Sequence, residues 1–176
     1  MESIRILAIS GSLRAASSNT SLLEASRKLA PQNVEMEFYG GLAGLPHFNP
    51  DLDGETPPPG VLELRRRVGW AAGLLICSPE YARGVPGSLK NALDWLVSSR
   101  EFPGKAVALF NASQRSTHAQ ESLRTTLLTM SARVIDEACI TVPLLGRKLD
   151  GAGIVADATL AQQVRAALSS FAGAIS

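Results

Sequence analysis

The sequence predicts an α/β domain of three layers, in which a doubly wound parallel sheet lies between two layers of helices. Short apolar runs alternate with amphipathic helical patterns five times along the chain. The runs lack polar alternation, which is typical of strands covered on both faces. Because crossovers between parallel strands are right-handed, this alternation predicts one sheet with helices on both faces.

The first half of the chain begins with a strand predicted over residues 4–10, where the apolar run IRILAIS stops at a glycine. A helix follows, with Ser18 or Asn19 as its cap. The alternating sequence VEMEFY over residues 34–39 predicts an edge strand with one wetter face. Residues 40–60 hold five of the ten prolines and five glycines. They predict a long surface loop, and such loops are often functional.

The second half of the chain continues the alternation. Further buried strands are predicted over residues 73–78, 105–111 and 134–142. Helices are predicted over residues 61–70, 88–99 and 120–131, and residues 155–175 contain the last helix. The three arginines at positions 65–67 are interpreted as a solvated helix face. Cys77 and Cys139 are interpreted as buried strand residues rather than as a disulfide or metal pair.

The composition limits the classes of function. A length of 176 residues suits a single domain over residues 1–176. A formal net charge of +1 argues against a dedicated nucleic-acid-binding protein, which would carry a basic excess. No apolar run approaches the ~20 residues of a membrane span, and no signal peptide is visible. We therefore expect a soluble cytoplasmic protein that binds neither nucleic acid nor membrane.

The clearest indication of a binding site lies in residues 10–19, where the first strand ends at Gly11 and a helical pattern begins at once. A helix N-terminus presents unpaired N–H groups and the positive end of the helix dipole. Hydroxyl and amide groups add neutral donors, and Arg14 adds a charge. This stretch predicts an anion-binding site, although Ser and Asn are also ordinary helix caps. Its polar residues are Ser10, Ser12, Arg14, Ser17, Ser18 and Asn19.

Two more polar loops follow later strands, at residues 79–87 and 112–118. The carboxyl ends of parallel strands share one edge of a sheet, so the three loops are expected to meet there. Ligands of doubly wound domains bind outside this edge, where the strand order changes direction. The three loops therefore predict a single ligand site.

Two motifs in these loops carry a family resemblance. They are GSLRAASSN at residues 11–19 and PEYARGVPGSLKNALDWLVS, which begins at Pro79. Together they resemble the phosphate loop and the second signature (PEYN, then PG-LKNA-DW) of the NAD(P)H-dependent FMN reductases. That family includes flavin-dependent quinone, chromate and azo-dye reductases. The resemblance extends over nearly the whole chain and implies a flavodoxin-like fold with a five-stranded parallel sheet in the order 2-1-3-4-5.

The resemblance implies FMN as the bound cofactor and NADPH or NADH as co-substrate. The electron acceptor would be a quinone, an azo dye, a metal oxyanion or a flavin. The flavin carries the chemistry, so the resemblance implies neither a catalytic side chain nor a metal. The first loop would hold the phosphate, and the other two would line the flavin ring. The implied FMN-binding residues are Ser12, Arg14, Ser17, Ser18, Asn19, Pro79, Glu80, Tyr81, Ala82 and Ser113.

The chain departs from the family pattern in two of these loops. Ala82 replaces the asparagine of PEYN and supplies no side-chain amide. The third loop reads ASQRSTHAQ, where the family usually has glycines after the serine. His118 in this loop is interpreted as a polar loop residue rather than as a catalytic group. These departures predict a weaker hold on the flavin ring.

Two alternative functions stay open. One is a family member that has lost flavin and serves a non-catalytic role. The other is a flavodoxin-like electron carrier, which the near-neutral charge disfavours because such carriers usually have an acidic docking surface.

The resemblance also implies a homodimer or homotetramer, because in the family a neighbouring subunit completes the flavin pocket. The loop of residues 40–60 and the helix of residues 88–99, with Trp95 and Leu96, are expected to offer apolar surface for isologous pairing. Structural roles in capping and packing are the simplest interpretation of Lys90, Asn91, Asp94 and Trp95.

Overall fold

A computed structural model describes residues 3–176, and its helices and strands follow the predicted alternation. The strands are β1 (Ile4–Ser10), β2 (Val34–Phe38), β3 (Gly73–Cys77), β4 (Ala106–Asn111), β5 (Arg133–Val134) and β6 (Ile140–Thr141). The helices are α1 (Ser18–Leu29), α2 (Pro59–Trp70), α3 (Gly87–Leu96), α4 (Thr117–Thr129), α5 (Gly151–Ala156) and α6 (Ala158–Ile175).

The sheet is parallel, and its strand order confirms the order 2-1-3-4-5. Strand β1 lies between β2 and β3, and Ser10 at its end pairs with Cys77 at the end of β3. Strand β4 continues the sheet beyond β3, with Phe110 opposite Cys77. The exit loops of β1, β3 and β4 therefore begin at one edge of the sheet.

The predicted strand over residues 134–142 is wrong in its continuity. The segment forms two strands of two residues, β5 and β6, and both pair with β4. A turn of 3₁₀ helix over Asp136–Ala138 separates them. Asp136, in this turn, forms an ion pair with Arg124 of α4. Cys139 consequently lies just before β6, half-buried, whereas Cys77 lies buried in β3 as predicted.

Two apolar cores cover the two faces of the sheet. Alternate side chains of β1 enter different cores: Ile6 packs with α1, α5 and α6, whereas Leu7 packs with α2, α3 and α4. This burial on both faces explains why the strand runs lack polar alternation. Among the helices of residues 3–176, none combines the length and the apolarity that crossing a membrane requires.

The long loop before α2 is held against α3 by side chains of the second signature. Asn91 accepts a hydrogen bond from Phe48 N at 2.7 Å and donates to Pro46 O at 2.9 Å. Trp95 donates from Nε1 to Pro46 O at 2.8 Å and packs edge-on against Phe48. The structural interpretation of Asn91 and Trp95 is confirmed. Trp95 and Leu96 are, however, buried within the chain, so the expectation that they offer apolar surface is wrong.

The arginine run also differs from its prediction as a solvated face. Arg65 donates to Trp95 O and to the carboxylate of Asp53, so it lies partly buried between α2, α3 and the long loop. Arg67 forms an ion pair with Glu37. Only Arg66 is exposed, and it pairs with Glu63 on its own helix.

Candidate functional site

A cavity of about 540 Å³ opens at the carboxyl edge of the sheet. The exit loops of β1, β3 and β4 form its walls together with the segment that follows β6. Nine of the ten predicted site residues line it, and Ala82 is the exception. The lining comprises Ser12, Arg14, Ala16, Ser17, Ser18, Asn19, Ser21, Pro79, Glu80, Tyr81, Ala112, Ser113, Ser116, Leu145, Lys148, Leu149 and Asp150.

The β1 exit loop begins at Gly11, where the chain passes very close to the end of β3. Gly11 N donates to Cys77 O at 2.9 Å. A Cβ at Gly11 would lie 2.5 Å from Ser78 Oγ and 2.9 Å from Ser78 Cβ. Real Cβ atoms do not approach other atoms this closely, so only glycine fits unless Ser78 moves.

Hydroxyl groups fix the shape of this loop. Ser10 Oγ and Thr20 Oγ1 lie 2.9 Å apart, and Ser12 Oγ accepts a hydrogen bond from Arg14 N at 3.3 Å. Ser17, whose backbone is extended, is the N-cap of α1 and makes no side-chain cap hydrogen bond. The prediction of Ser18 or Asn19 as the cap is therefore wrong, because both residues are already helical.

Asn19 is tied to the sheet by its side chain. Cys77 Sγ donates to Asn19 Oδ1 at 3.2 Å. Burial raises the pKa of the Cys77 thiol, so this donor keeps its proton. Asn19 is only 8% exposed and lines the cavity, with its amide oxygen occupied by the thiol.

The β3 exit loop makes a tight turn beside the cavity. Tyr81 and Gly84 exchange two backbone hydrogen bonds, Tyr81 N to Gly84 O at 3.1 Å and Gly84 N to Tyr81 O at 2.9 Å. The two residues between them, Ala82 and Arg83, have φ angles of 49° and 60°. A two-residue turn with φ positive at both positions favours Asn-Gly. The left-handed backbone at position 82 therefore favours the asparagine of the family pattern, independently of any contact that its side-chain amide makes.

Glu80 links the β3 exit loop to the β4 exit loop. Its Oε2 accepts a hydrogen bond from Ala119 N at 2.9 Å, in the first turn of α4. The N-cap of that helix, Ser116, makes no side-chain cap hydrogen bond. The carboxylate thus satisfies a free N–H group and lies at the positive end of the helix dipole.

The β4 exit loop is ordered by its own side chains. Asn111 Oδ1 accepts from Ser113 N at 3.0 Å, and Ser113 Oγ accepts from Arg115 N at 3.2 Å. Ser113 and Ser116 line the cavity. His118 is exposed in the first turn of α4 and is not part of the lining, which agrees with its interpretation as a polar residue.

The charged residues of the cavity fall into two classes. The two acids are occupied by helix N-termini: Glu80 accepts from Ala119 N, and Asp150 accepts from Gly153 N at 2.7 Å. The two cations are Arg14 and Lys148, and neither side chain makes a hydrogen bond or ion pair with any other residue of 3–176. The cavity therefore offers positive charge to an anionic ligand. Over the same residues, no group of three or more His, Cys, Asp or Glu side chains is placed to hold a metal ion.

The fourth wall of the cavity was not predicted from the sequence. It comprises Leu145, Lys148, Leu149 and Asp150. The sheet topology could have identified it. The fifth strand of a parallel sheet ends at the same edge as the others, and the polar sequence GRKLD follows it.

A family model described as NADPH-dependent FMN reductase matches residues 4–144, which include three of the four walls. The chain belongs to this family. Among its curated relatives is an NAD(P)H-dependent FMN reductase of Pseudomonas aeruginosa, 32% identical over 161 residues that cover 89% of this chain and 86% of the relative. A quinone reductase of Escherichia coli is 30% identical over 155 residues, which cover 85% and 82% of the two chains.

A solved structure supports the same relationship. The flavoenzyme NAD(P)H:(acceptor) oxidoreductase FerB from Paracoccus denitrificans superposes with a TM-score of 0.76 and 28% sequence identity. The match covers 97% of this chain and 98% of FerB. The similarity therefore extends past residue 144 in fold, although the family model stops there.

Proposed function

We propose that this chain is an NAD(P)H-dependent FMN oxidoreductase that reduces a small acceptor such as a quinone, an azo dye, a metal oxyanion or a flavin. The observation that carries the proposal is the convergence on one cavity of nine residues that the family resemblance implies as FMN-binding. Relatives named FMN reductase and quinone reductase support the same reaction class.

The cavity fits FMN in size and chemistry. Its volume of about 540 Å³ lies within the range of roughly 300–1,000 Å³ typical of cofactor sites. Hydroxyl groups, the free first turn of α1 and unpaired cations suit a phosphate dianion. Pro79, Tyr81 and Leu145 offer apolar surface for a flat aromatic ring.

The residues would divide the work between phosphate and ring. Ser12, Arg14, Ser17, Ser18 and Asn19 would hold the phosphate. Pro79, Glu80, Tyr81 and Ser113 would line the ring, and Ala82 would act through the shape of its turn. When FMN is bound, the chemistry that it supplies is hydride uptake from NAD(P)H and electron delivery to a second substrate. The side chains would orient the reactants and need not transfer a proton themselves.

Donor and acceptor would occupy the cavity in turn. Tyr81 is 49% exposed and Leu145 is 59% exposed, and both line the cavity, so an aromatic acceptor would find apolar contacts there. We therefore expect parallel double-reciprocal lines when NAD(P)H and a quinone are varied.

The test is to strip the protein of flavin, titrate it with FMN, and follow NAD(P)H oxidation with a quinone. FMN-dependent, quinone-dependent oxidation is the expected result. Tight FMN binding without NAD(P)H oxidation would favour the electron carrier instead. Absence of FMN binding would contradict both.

We further propose that residues 1–176 act as one domain and that the chain forms a homodimer or homotetramer in the cytoplasm. Exposed apolar residues outside the cavity, Leu52 in the loop of residues 40–60 and Val97 just after α3, support self-association. Two free cysteines suit a reducing compartment. A monomeric mass in light scattering at micromolar concentration would contradict the assembly.

A further inference from the structure

We propose that Lys148 is a second phosphate-binding cation, which holds the 5′-phosphate of FMN together with Arg14. This inference rests on the proposed function, because it names a residue for the FMN site. Lys148 lies outside the residues 4–144 that match the family model, so the motif resemblance does not assign it.

The backbone of Lys148 indicates a functional constraint. Its φ angle is 49°, in the left-handed region that residues other than glycine rarely adopt. Of the four non-glycine residues with positive φ among residues 3–176, Ala82 and Arg83 lie in the turn beside the cavity and Lys148 lines it. Strained residues concentrate at ligand sites, where the surrounding structure holds them.

The chain on both sides of Lys148 is firmly held. Arg147 forms an ion pair with Asp157 at 2.7 Å, and Asp157 caps α6 through Leu160 N. Two residues after Lys148, Asp150 caps α5 through Gly153 N. These contacts hold the backbone on both sides of Lys148 without using its ammonium group, which therefore stays available to a ligand.

The position of α5 places this segment on the phosphate side of the cavity. A Cβ at Gly151 would lie 3.0 Å from Glu24 Cβ and 3.3 Å from Ala25 N, so the start of α5 touches the second turn of α1. Asp150 and Ser21 line the cavity near this contact. Lys148 therefore belongs to the segment that packs beside α1, the helix whose first turn carries the predicted phosphate donors.

The charges favour a phosphate over a neutral ligand group. Both acids of the cavity already accept hydrogen bonds from helix N-termini. Neither Arg14 nor Lys148 has an acidic partner within residues 3–176, so a phosphate dianion would find two uncommitted positive charges. FMN carries such a dianion, whereas riboflavin has the same ring and no phosphate.

The experiment compares FMN and riboflavin binding to flavin-free protein by fluorescence titration. The variants are Lys148→Gln, which removes the charge, and Lys148→Arg, which keeps it. The matched control is Lys28→Gln, because Lys28 is exposed in the last turn of α1, outside the cavity. For Lys148→Gln we expect the FMN dissociation constant to rise about three- to tenfold, because an exposed ammonium is screened and, unlike the guanidinium of Arg14, cannot make two parallel hydrogen bonds to a phosphate. We expect unchanged riboflavin binding and an FMN loss that shrinks at high salt.

The outcomes separate this inference from the proposed function. Parent-like FMN affinity in Lys148→Gln, with the parent binding FMN normally, would overturn the inference alone. Equal losses of FMN and riboflavin affinity would also overturn the inference, because Lys148 would then affect the protein's structure or the flavin ring rather than the phosphate. If Lys148→Gln weakened the binding of NADPH but not of NADH or FMN, Lys148 would contact the coenzyme phosphate, and the inference would be overturned as well. Failure of the parent protein to bind FMN would overturn the proposed function.

Discussion

The exit loops of β1 and β3 line the same cavity but use their polar groups differently. In the β1 loop, hydroxyls shape the backbone, while Arg14 and the cap residue Ser17 make no side-chain bonds to the rest of residues 3–176. In the β3 loop, Glu80 is committed to α4, and Ala82 has a positive φ. The β1 loop leaves polar groups free for a ligand, whereas the β3 loop uses its polar group to stabilise the local structure. Mutations should therefore change ligand affinity in the first loop and stability in the second.

The largest effect is expected where the two loops touch, because there a residue of the β1 loop affects stability rather than ligand affinity. Gly11→Ala places a Cβ against Ser78 and should lower the free energy of unfolding by about 2–3 kcal/mol, as overpacking does elsewhere. The measurement is denaturant unfolding. Gly40→Ala is the matched control, since no atom lies within 4 Å of a Cβ there. Adding Ser78→Gly to the Gly11→Ala variant should recover most of the lost stability. Equal effects of Gly11→Ala and Gly40→Ala would show that Gly11 does not approach Ser78 closely.

The next largest effect is expected at Arg14, the charged side chain that the β1 loop leaves free. Arg14→Ala should raise the FMN dissociation constant about ten- to hundredfold, because a charge-assisted contact contributes roughly 1.5–3 kcal/mol. Its unfolding midpoint without flavin should not change, because the side chain has no partner among residues 3–176. Arg83→Ala is the control from the other loop, because Arg83 is exposed and does not line the cavity. Similar FMN losses in both variants would mean that the charge acts at long range rather than by contact.

Glu80→Ala tests the stabilising role of the β3 loop. The substitution leaves Ala119 N without its acceptor at the start of α4, so stability should fall by about 1 kcal/mol, the usual magnitude for a lost helix cap. Glu80→Gln keeps an oxygen acceptor and should recover part of this stability while removing the charge. Urea unfolding of both variants measures the difference. Were Glu80→Gln as unstable as Glu80→Ala, charge rather than the hydrogen bond would be the contribution that matters.

The sequence predicted local features of the molecule better than contacts between distant segments. The buried strands were predictable because an unbroken apolar run such as IRILAIS depends only on burial of both faces. The strand order came from the family resemblance, since spacing alone does not determine it. The break between β5 and β6 is a 3₁₀ turn in which Asp136 pairs with Arg124 of α4, and the partly buried Arg65 donates to Trp95 O. Neither contact leaves a pattern in the local sequence.

The candidate site shows the same limit. The predicted site residues of three loops converge on one cavity because parallel strands end at one edge. The motifs gave no reason to include Lys148, which lies beyond both of them. Ala82 was predicted from its motif position, yet it contributes backbone shape and does not line the cavity. A side chain's position in a motif therefore did not reveal whether it faces the ligand.

The smallest effect is expected at position 82, where the residue can act through the backbone of its turn or through its side chain. Ala82→Asn should raise the free energy of unfolding by about 0.5–1 kcal/mol, because asparagine tolerates the left-handed backbone that alanine resists. Ala82→Gly relieves the same strain without adding an amide. If position 82 acts only through its turn, both variants should gain similar stability and bind FMN alike. If the asparagine amide reaches the flavin, Ala82→Asn alone should bind FMN more tightly. The turn geometry leads us to expect the first result in urea unfolding, together with a modest rise in FMN affinity that both variants share.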